Sequence, residues 1–304
     1  MTNVAMAIPR RRRQIGRAGD FLLGSAMVLP ALVGLALFKL WPLLSAGLDS
    51  FQSFRPFDNV STGWVGLQNY LDLMADPDFR YAPVNTLLYI VLIVGITIPL
   101  SIVLAVLLDR RLPASTWARN AIIAALATSE AVTALVWNQM YEPSVGLFNA
   151  MLDAFQLPSQ PFLTSGSQAL VSIVVMTVWK EIGLPVLIFL AGLQAIPREL
   201  PEAAKLDGAS ERQIFWYVTL PALRPSIIVA LFMMTITATR MFTPILIMTQ
   251  GGPQGSTTNL ALFAYQLAFE YQSPGMAAAA VVFMIGLLII VTAAQGFLLR
   301  DREA

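Results

Sequence analysis

Residues Glu199 to Pro225 read ELPEAAKLDGASERQIFWYVTLPALRP. They form the longest charge-rich segment in a 304-residue chain that is 57% hydrophobic and 12% charged, with a mean hydropathy of +0.68. Soluble domains carry about 25% charged residues. Apolar runs flank the stretch on both sides, each long enough to cross a hydrocarbon core of roughly 30 Å. The stretch is therefore a polar loop between two membrane spans, and it sets how the rest of the chain is read.

Local chemistry gives the loop a shape. Pro197 and Pro201 suit the first turn of a helix, where a missing N–H costs little. Glu202-Ala203-Ala204-Lys205-Leu206 supplies strong helix formers. Asp207-Gly208 is a stop, because glycine at a helix C′ position takes the left-handed conformation that other residues resist. Ser210 and Gln213 match a capping box that restarts a helix to about Tyr217, and Leu220-Pro221 ends it. The result is two short helices joined by a sharp bend, lying along the membrane surface. Ala203 and Ala204 allow close approach of another surface, with Glu202 projecting at the front. The physics leaves two roles open, a docking element and a plain amphipathic linker.

Outward from the loop, the apolar runs predict an all-α membrane protein with six transmembrane helices at about 21–48, 84–108, 120–140, 168–193, 226–249 and 276–299. Residues 1–20 form an N-terminal tail, 21–299 a six-helix transmembrane domain with the loop at 195–225, and 300–304 a short C-terminal tail. Pro30 and Pro99 interrupt helices, which membrane bundles tolerate. The first apolar run exceeds the 7–15 residues of a signal-peptide core, so an uncleaved helix is expected. Fourteen of the nineteen Lys and Arg fall on one set of ends. They are Arg10, Arg11, Arg12, Arg13, Arg17, Arg110, Arg111, Arg119, Arg198, Lys205, Arg212, Arg224, Arg300 and Arg302. The opposite loops hold only Arg55 and Arg80. The positive-inside rule therefore places both termini and the loop in the cytoplasm. The basic N-terminus is a membrane anchor, with no nucleic-acid partner implied. The outer loops, at 50–83, 141–167 and 250–275, read as modest loops without a core that cap the bundle or receive a partner, the second carrying an amphipathic piece from Leu147 to Phe155.

The chain has no Cys and no His, which removes thiolate chemistry, disulfides, His-ligated metal and His acid/base catalysis. It also lacks a G-x-x-x-x-G-K-[ST] loop, so any ATP hydrolysis belongs to another subunit. Ionisable groups within spans are costly and usually face a cavity or a partner. Glu130 falls in the third span, Lys180 and Glu181 in the fourth, and Arg240 in the fifth, about 21 Å from its inner end. All four reach the midplane depth where transporters hold substrate. Asn85, Asn138, Gln139, Thr177, Trp179, Thr239 and Thr243 could add hydrogen bonds, and Trp179 an aromatic face. A charge network locking the bundle, substrate contact and gating all remain open for these groups. Glu130, Asn138, Trp179, Lys180, Glu181, Arg240 and Thr243 are the candidate pathway residues.

The 199–225 stretch resembles the EAA loop of permease subunits from binding-protein-dependent ABC importers. The match comprises Glu202-Ala203-Ala204, Gly208 and Val218-Thr219-Leu220-Pro221, with Val218 where isoleucine is usual and Pro201 where a non-proline is usual. Val65-Gly66-Leu67-Gln68-Asn69-Tyr70, Gly251-Gly252-Pro253 and Leu190 to Pro197 are similar to the maltose-type, larger-subunit branch of sugar permeases. The resemblance implies a multi-pass subunit of a bacterial inner membrane that forms half of a pathway for a carbohydrate or polyol. It implies a cytoplasmic ATPase dimer, a second homologous permease, an extracytoplasmic solute-binding protein, a small-molecule substrate and surrounding lipid as partners. Glu202, Ala203, Ala204, Asp207, Gly208, Leu220 and Pro221 would couple to the ATPase. This chain would bind no cofactor or metal and perform no catalysis, with ATP and Mg on the partner. A secondary carrier without an ATPase is the rival reading, and a glycerol phosphate is the rival solute. An intramembrane enzyme would have few groups to work with, and a structural scaffold would leave the buried charges unexplained.

Overall fold

The computed structural model describes residues 17–55, 60–109 and 115–299. The arginines at 10–13, 110, 111, 300 and 302, and the tails at 1–16 and 300–304, lie outside the described residues, as does the side chain of Arg17. The contacts divide the chain into Met1–Leu48 and a larger unit from Asp49 onward.

In the first unit, α1 (Arg17–Leu35) passes through a wider π turn at Ala36–Leu40 into α2 (Trp41–Asp49). Pro30 stays inside the helix. Apolar side chains such as Met27 and Phe38 are exposed, as in a helix that meets lipid.

The larger unit opens with β1 (Gln52–Phe54) and β2 (Ser61–Trp64), an antiparallel pair, followed by α3 (Gln68–Ala75) and α4 (Tyr81–Asp109). Next come α5 (Ser115–Ala127), α6 (Glu130–Met140), α7 (Leu147–Ala154), α8 (Ala169–Glu181) and α9 (Gly183–Ala195). The polar loop holds α10 (Glu199–Leu206), α11 (Glu211–Ile214) and α12 (Leu220–Ala222). The chain ends with α13 (Arg224–Thr239), α14 (Thr243–Met248), α15 (Leu260–Tyr265) and α16 (Pro274–Leu299).

Four helical stretches are long and apolar enough to cross a membrane: Gly24–Asp49, Tyr81–Asp109, Arg224–Met248 and Pro274–Leu299. The expected third and fourth spans are broken. α5 and α6 meet at 103°, and α8 and α9 at 45°. With each bent pair counted once, six spans result. Pro99 does not interrupt its helix: α4 runs through it for 29 residues.

α4 is the central post, packed on α9 and α13. Ile98, Ile102 and Ala105 of α4 meet Phe189 of α9 and Ala230 and Met234 of α13. A second cluster joins Tyr89, Ile93, Ala134, Ile173, Met176, Ala238 and Ile245. Close approach of α9 to the start of α13 depends on Gly192, where an added Cβ would lie 2.9 Å from Leu223 Cδ2 and 3.2 Å from Ser226 Cβ. Gly192→Val is expected to destabilise the bundle by about 1–3 kcal/mol through overpacking, seen as a lower midpoint of thermal unfolding in detergent.

The loops at 50–83, 141–167 and 250–275 are more structured than expected. The hairpin and α3 are tied by Asn69, whose Nδ2 donates to Ser50 O at 2.8 Å and Gln52 O at 2.9 Å. Leu73, Phe79, Leu260, Phe263, Leu267 and Ala280 form a core of their own at this end. The fold is thus helical with a small two-stranded sheet, and the caps have a core that alternation in short segments does not announce. Asn85 Nδ2 donates to Gly255 O and Thr258 O, both at 2.9 Å, and Tyr89 Oη donates to Thr257 O at 3.2 Å. Asn85 therefore ties α4 to the 255–258 turn. At the opposite end, Arg224 Nη2 donates to Leu299 O at 2.6 Å, joining the start of α13 to the end of α16.

Candidate functional site

The loop between α9 and α13 is built as a bent pair of helices. Ala209 N–H donates to Ala204 O at 2.9 Å and Gly208 N–H to Lys205 O at 3.0 Å. These two bonds make a Schellman stop, with Gly208 at φ +83° in the left-handed region. Ser210 then caps α11: Gln213 N donates to Ser210 Oγ at 3.4 Å, and Ser210 N to Gln213 Oε1 at 2.8 Å. Lys205 Nζ reaches Glu211 Oε1 across the bend at 2.7 Å, an exposed pair that contributes little to stability. The helix does not stop at Tyr217 or at Leu220-Pro221. It continues through a π turn at Phe215–Thr219 into α12, and the chain turns at Leu223. The wider turn lies just ahead of Pro221, whose ring and missing N–H disfavour an ordinary α turn there.

One side of this loop is fixed to the bundle and the other is open. Ile214 and Leu223 are buried, and Phe215, Leu220 and Ile227 pack against the Ile98–Met234 cluster. Glu202, Ala203, Asp207, Gly208 and Pro221 are exposed, and Ala204 and Leu220 are half-buried. Leu206 is 90% exposed and Tyr217 79% exposed. The open side of the loop thus presents mixed apolar and charged groups, while its other side packs on the cluster that joins α4, α9 and α13.

The mid-span groups sit around the break in the third span. Lys180 is buried, 7% exposed, and its Nζ donates to Leu126 O at 2.9 Å. That carbonyl belongs to the last turn of α5, where a cation also meets the negative end of the helix dipole. The turn at Thr128 and Ser129 is held by Thr128 Oγ1 donating to Ala125 O at 2.7 Å, and by a 3.1 Å bond between Thr128 and Thr133 hydroxyls. Glu130 is exposed at the first turn of α6. Glu181 is half-buried and feels the charges of Lys180, Glu130 and Arg240. Arg240 is exposed at the C-cap of α13, and Thr243 opens α14 just beyond it. Among the described residues, no ion pair within 4.0 Å joins Arg240 to Glu130 or Glu181, so it is not locked to either carboxylate.

The remaining candidates lie elsewhere. Trp179 is 43% exposed with its ring 5.6 Å from that of Trp137. Thr177 Oγ1 donates to Ile173 O and also lies 3.2 Å from Met241 Sδ, while Thr239 Oγ1 donates to Thr235 O within its own helix. Asn138 lies eight residues along α6 from Glu130, toward the capped end, roughly 12 Å at 1.5 Å per residue. It lines a polar cleft of about 520 Å³ with Gln139, Glu142, Thr164 and Thr249. Sequence reasoning misses Glu142, which looks like part of a loop. Its signal is an acid at a span end followed by Pro143-Ser144, a turn in which a carboxylate caps backbone N–H groups. Asn149 is missed too; it fastens the 143–160 loop by donating to Pro143 O and Gln160 O at 2.9 Å.

A bundle of continuous and broken apolar spans, with an exposed bent loop seated on its core, is the architecture of a multi-pass membrane protein. The model of the family described as "binding-protein-dependent transport system inner membrane component" matches residues 73–303, and the chain belongs to that family. It is 36% identical over 256 residues to the trehalose/maltose transport system permease protein MalF of Thermococcus litoralis, covering 83% of this chain and 84% of that protein. It is 32% identical over 270 residues to the sn-glycerol-3-phosphate transport system permease protein UgpA of Brucella suis, covering 88% of this chain and 92% of that one. A chain of a bacterial ABC transporter involved in the import of the acidic polysaccharide alginate has the same fold, with a TM-score of 0.81 at 24% identity over 94% of this chain and 97% of that chain.

Proposed function

We propose that this chain forms half of the translocation pathway of an ATP-driven importer in the inner membrane, and that its solute is a carbohydrate or related polyol. It is a transport subunit and not itself an enzyme. The observation that carries the reading is the 199–225 loop, which exposes Glu202, Ala203 and Leu206 while Ile214, Phe215, Leu220 and Leu223 are seated on the central core. A loop fixed to α4, α9 and α13 transmits a two-state movement of a partner as a rigid lever.

The positive-inside distribution supports a cytoplasmic position for this loop and for both termini. ATP and Mg are then held by an ATPase dimer on that side, with Glu202, Ala203, Ala204, Asp207, Gly208, Leu220 and Pro221 at the contact. A second homologous permease completes the pathway, and a solute-binding protein delivers the solute at the opposite face. Glu130, Lys180, Glu181, Arg240 and Thr243 form the mid-depth part of the pathway around the α5–α6 break, with Trp179 nearby and Asn138 further out. A glycerol phosphate is the second reading for the solute, favoured by Arg240, an exposed cation within a span, and by the likeness to UgpA.

The test is to purify the chain with its native partners and identify them. Recovery of an ATPase is expected, and Glu202→Lys is expected to lower that recovery at least about tenfold, since reversing a charge at an interface sets like charge against like. Transport by the chain purified alone would refute the reading.

A further inference from the structure

The cleft at the capped end of the bundle has a chemistry that the mid-span groups do not share. Asn138 and Gln139 bring two primary amides to its wall, and neither side chain makes a hydrogen bond to another described residue. Thr164 and Thr249 add hydroxyl oxygens that can accept, their protons being directed to Pro161 O at 2.8 Å and Ile245 O at 3.1 Å. Glu142 supplies a carboxylate whose geometry is fixed: its Oε2 accepts from Ser144 N at 2.7 Å, Ser144 Oγ at 2.8 Å and Val145 N at 2.8 Å. Oε1 accepts from none of the described residues. The Val145 N–H, with the hydroxyl and N–H of Ser144, holds this carboxyl below the usual carboxylate range, so it is charged throughout the neutral range. Among the described residues, no Lys or Arg lines the cleft. Its volume of about 520 Å³ falls within the roughly 300–1,000 Å³ of small-molecule sites.

Each of these groups matches a hydroxyl. Amides donate to and accept from one, and a carboxylate oxygen accepts from one. A phosphate or sulfonate would bring negative charge to a fixed anion with no cation in the lining to offset it. We propose that this cleft is a subsite for uncharged polyhydroxylated solutes and that Glu142 is the residue that excludes anionic ones. The proposal rests on the reading of the chain as a carbohydrate permease and narrows it. It favours neutral sugars over the glycerol phosphate alternative, at a position separate from Arg240.

This chain contains no cysteine, so a single introduced one is the only thiol on it, and labelling is read on this chain after the subunits of the complex are separated. Thr164→Cys places a thiol on the exposed wall of the cleft. The complete complex carrying it would be labelled with a cationic and an anionic methanethiosulfonate, with and without a panel of trehalose, maltose, glucose and glycerol, and with sn-glycerol 3-phosphate. The cationic reagent is expected to react faster, and Glu142→Gln to lower the cation-to-anion rate ratio by about fivefold. The introduced amide keeps a carbonyl acceptor for the Ser144 and Val145 N–H groups, so the turn survives. At least one neutral polyol is expected to slow labelling, and sn-glycerol 3-phosphate to do so only in the Glu142→Gln background. The inference is overturned if no neutral polyol protects, if sn-glycerol 3-phosphate protects the parent equally, or if the rate ratio is unchanged by Glu142→Gln. Uptake by the unmodified complex separates the two levels. Uptake of a panel member without protection removes the subsite alone; no uptake of any member removes the carbohydrate reading and the subsite with it.

Discussion

Gly208→Val is expected to cut ATP-driven uptake at least about tenfold while leaving insertion and folding of the bundle intact. Gly208 sits at φ +83°, and no atom lies within 4 Å of a Cβ built there. The substitution therefore meets no steric neighbour, and its whole effect is conformational. An L residue in the left-handed region costs roughly 1–2 kcal/mol, and a β-branched one more. Such a cost shifts the equilibrium away from the bent loop by about five- to thirtyfold, and further for valine, which scales down the fraction of the chain able to dock. The valine chain escapes by straightening the Asp207–Ser210 turn, which swings α10 and Glu202 away from α11. Asparagine tolerates the left-handed region, so uptake should fall in the order Gly, Asn, Ala, Val. A valine variant with normal uptake would mean that the bend carries no force.

Lys180→Met is expected to lower both thermal stability and uptake. Methionine keeps nearly the same length but removes the donor to Leu126 O, leaving a carbonyl at the end of α5 without its partner. A buried acceptor left unsatisfied costs about 1–3 kcal/mol, and the half-buried Leu126 carbonyl falls toward the lower end of that range. Removing the ammonium also leaves Glu130 and Glu181 to repel each other with Arg240 as the one remaining cation that Glu181 feels among the described residues. Burial of an isolated charge is itself costly, so an apolar replacement would be neutral if Lys180 had no specific partner. The bond to Leu126 is what sets the sign. Thermal unfolding of the purified complex measures the stability effect, and uptake at a temperature well below the midpoint separates loss of the α5–α6 knee from loss of fold. Unchanged stability together with unchanged uptake would remove Lys180 from the account.

Much of this was legible in the sequence because it is written in local chemistry. Ser210 and Gln213 spell a capping box, and Gly208 marks the left-handed stop; both occur where the residues place them. Apolar runs of about 20 residues locate the spans. The breaks escape because a hydropathy window averages across them. Thr128 and Ser129 are small and weakly polar, so 120–140 reads as one run although its halves meet at 103°. Pro185 stands in the fourth run as a visible signal for the 45° bend, since a proline near a helix start suits a new helix better than the middle of an old one. The long-range ties have no local signal at all. Asn85 reads as a polar residue at membrane depth until Gly255, 170 residues on, is seen to accept its N–H. Asn138 reads as a companion to Glu130 until the 103° bend sends α6 toward the capped end. The loop's exit is misjudged for a related reason. Pro221 does break an α turn, but a π turn ahead of it absorbs the fault and the helix goes on.

The central claim is that force enters this chain through the 199–221 loop from an ATPase on that face. Its most direct test is uptake of the neutral-polyol panel into proteoliposomes holding the complete complex, with ATP supplied on one side at a time. Uptake is expected only when ATP is on the side of the loop, and Gly208→Val should abolish most of it. Uptake by this chain alone, without ATP or an ATPase, would contradict the account.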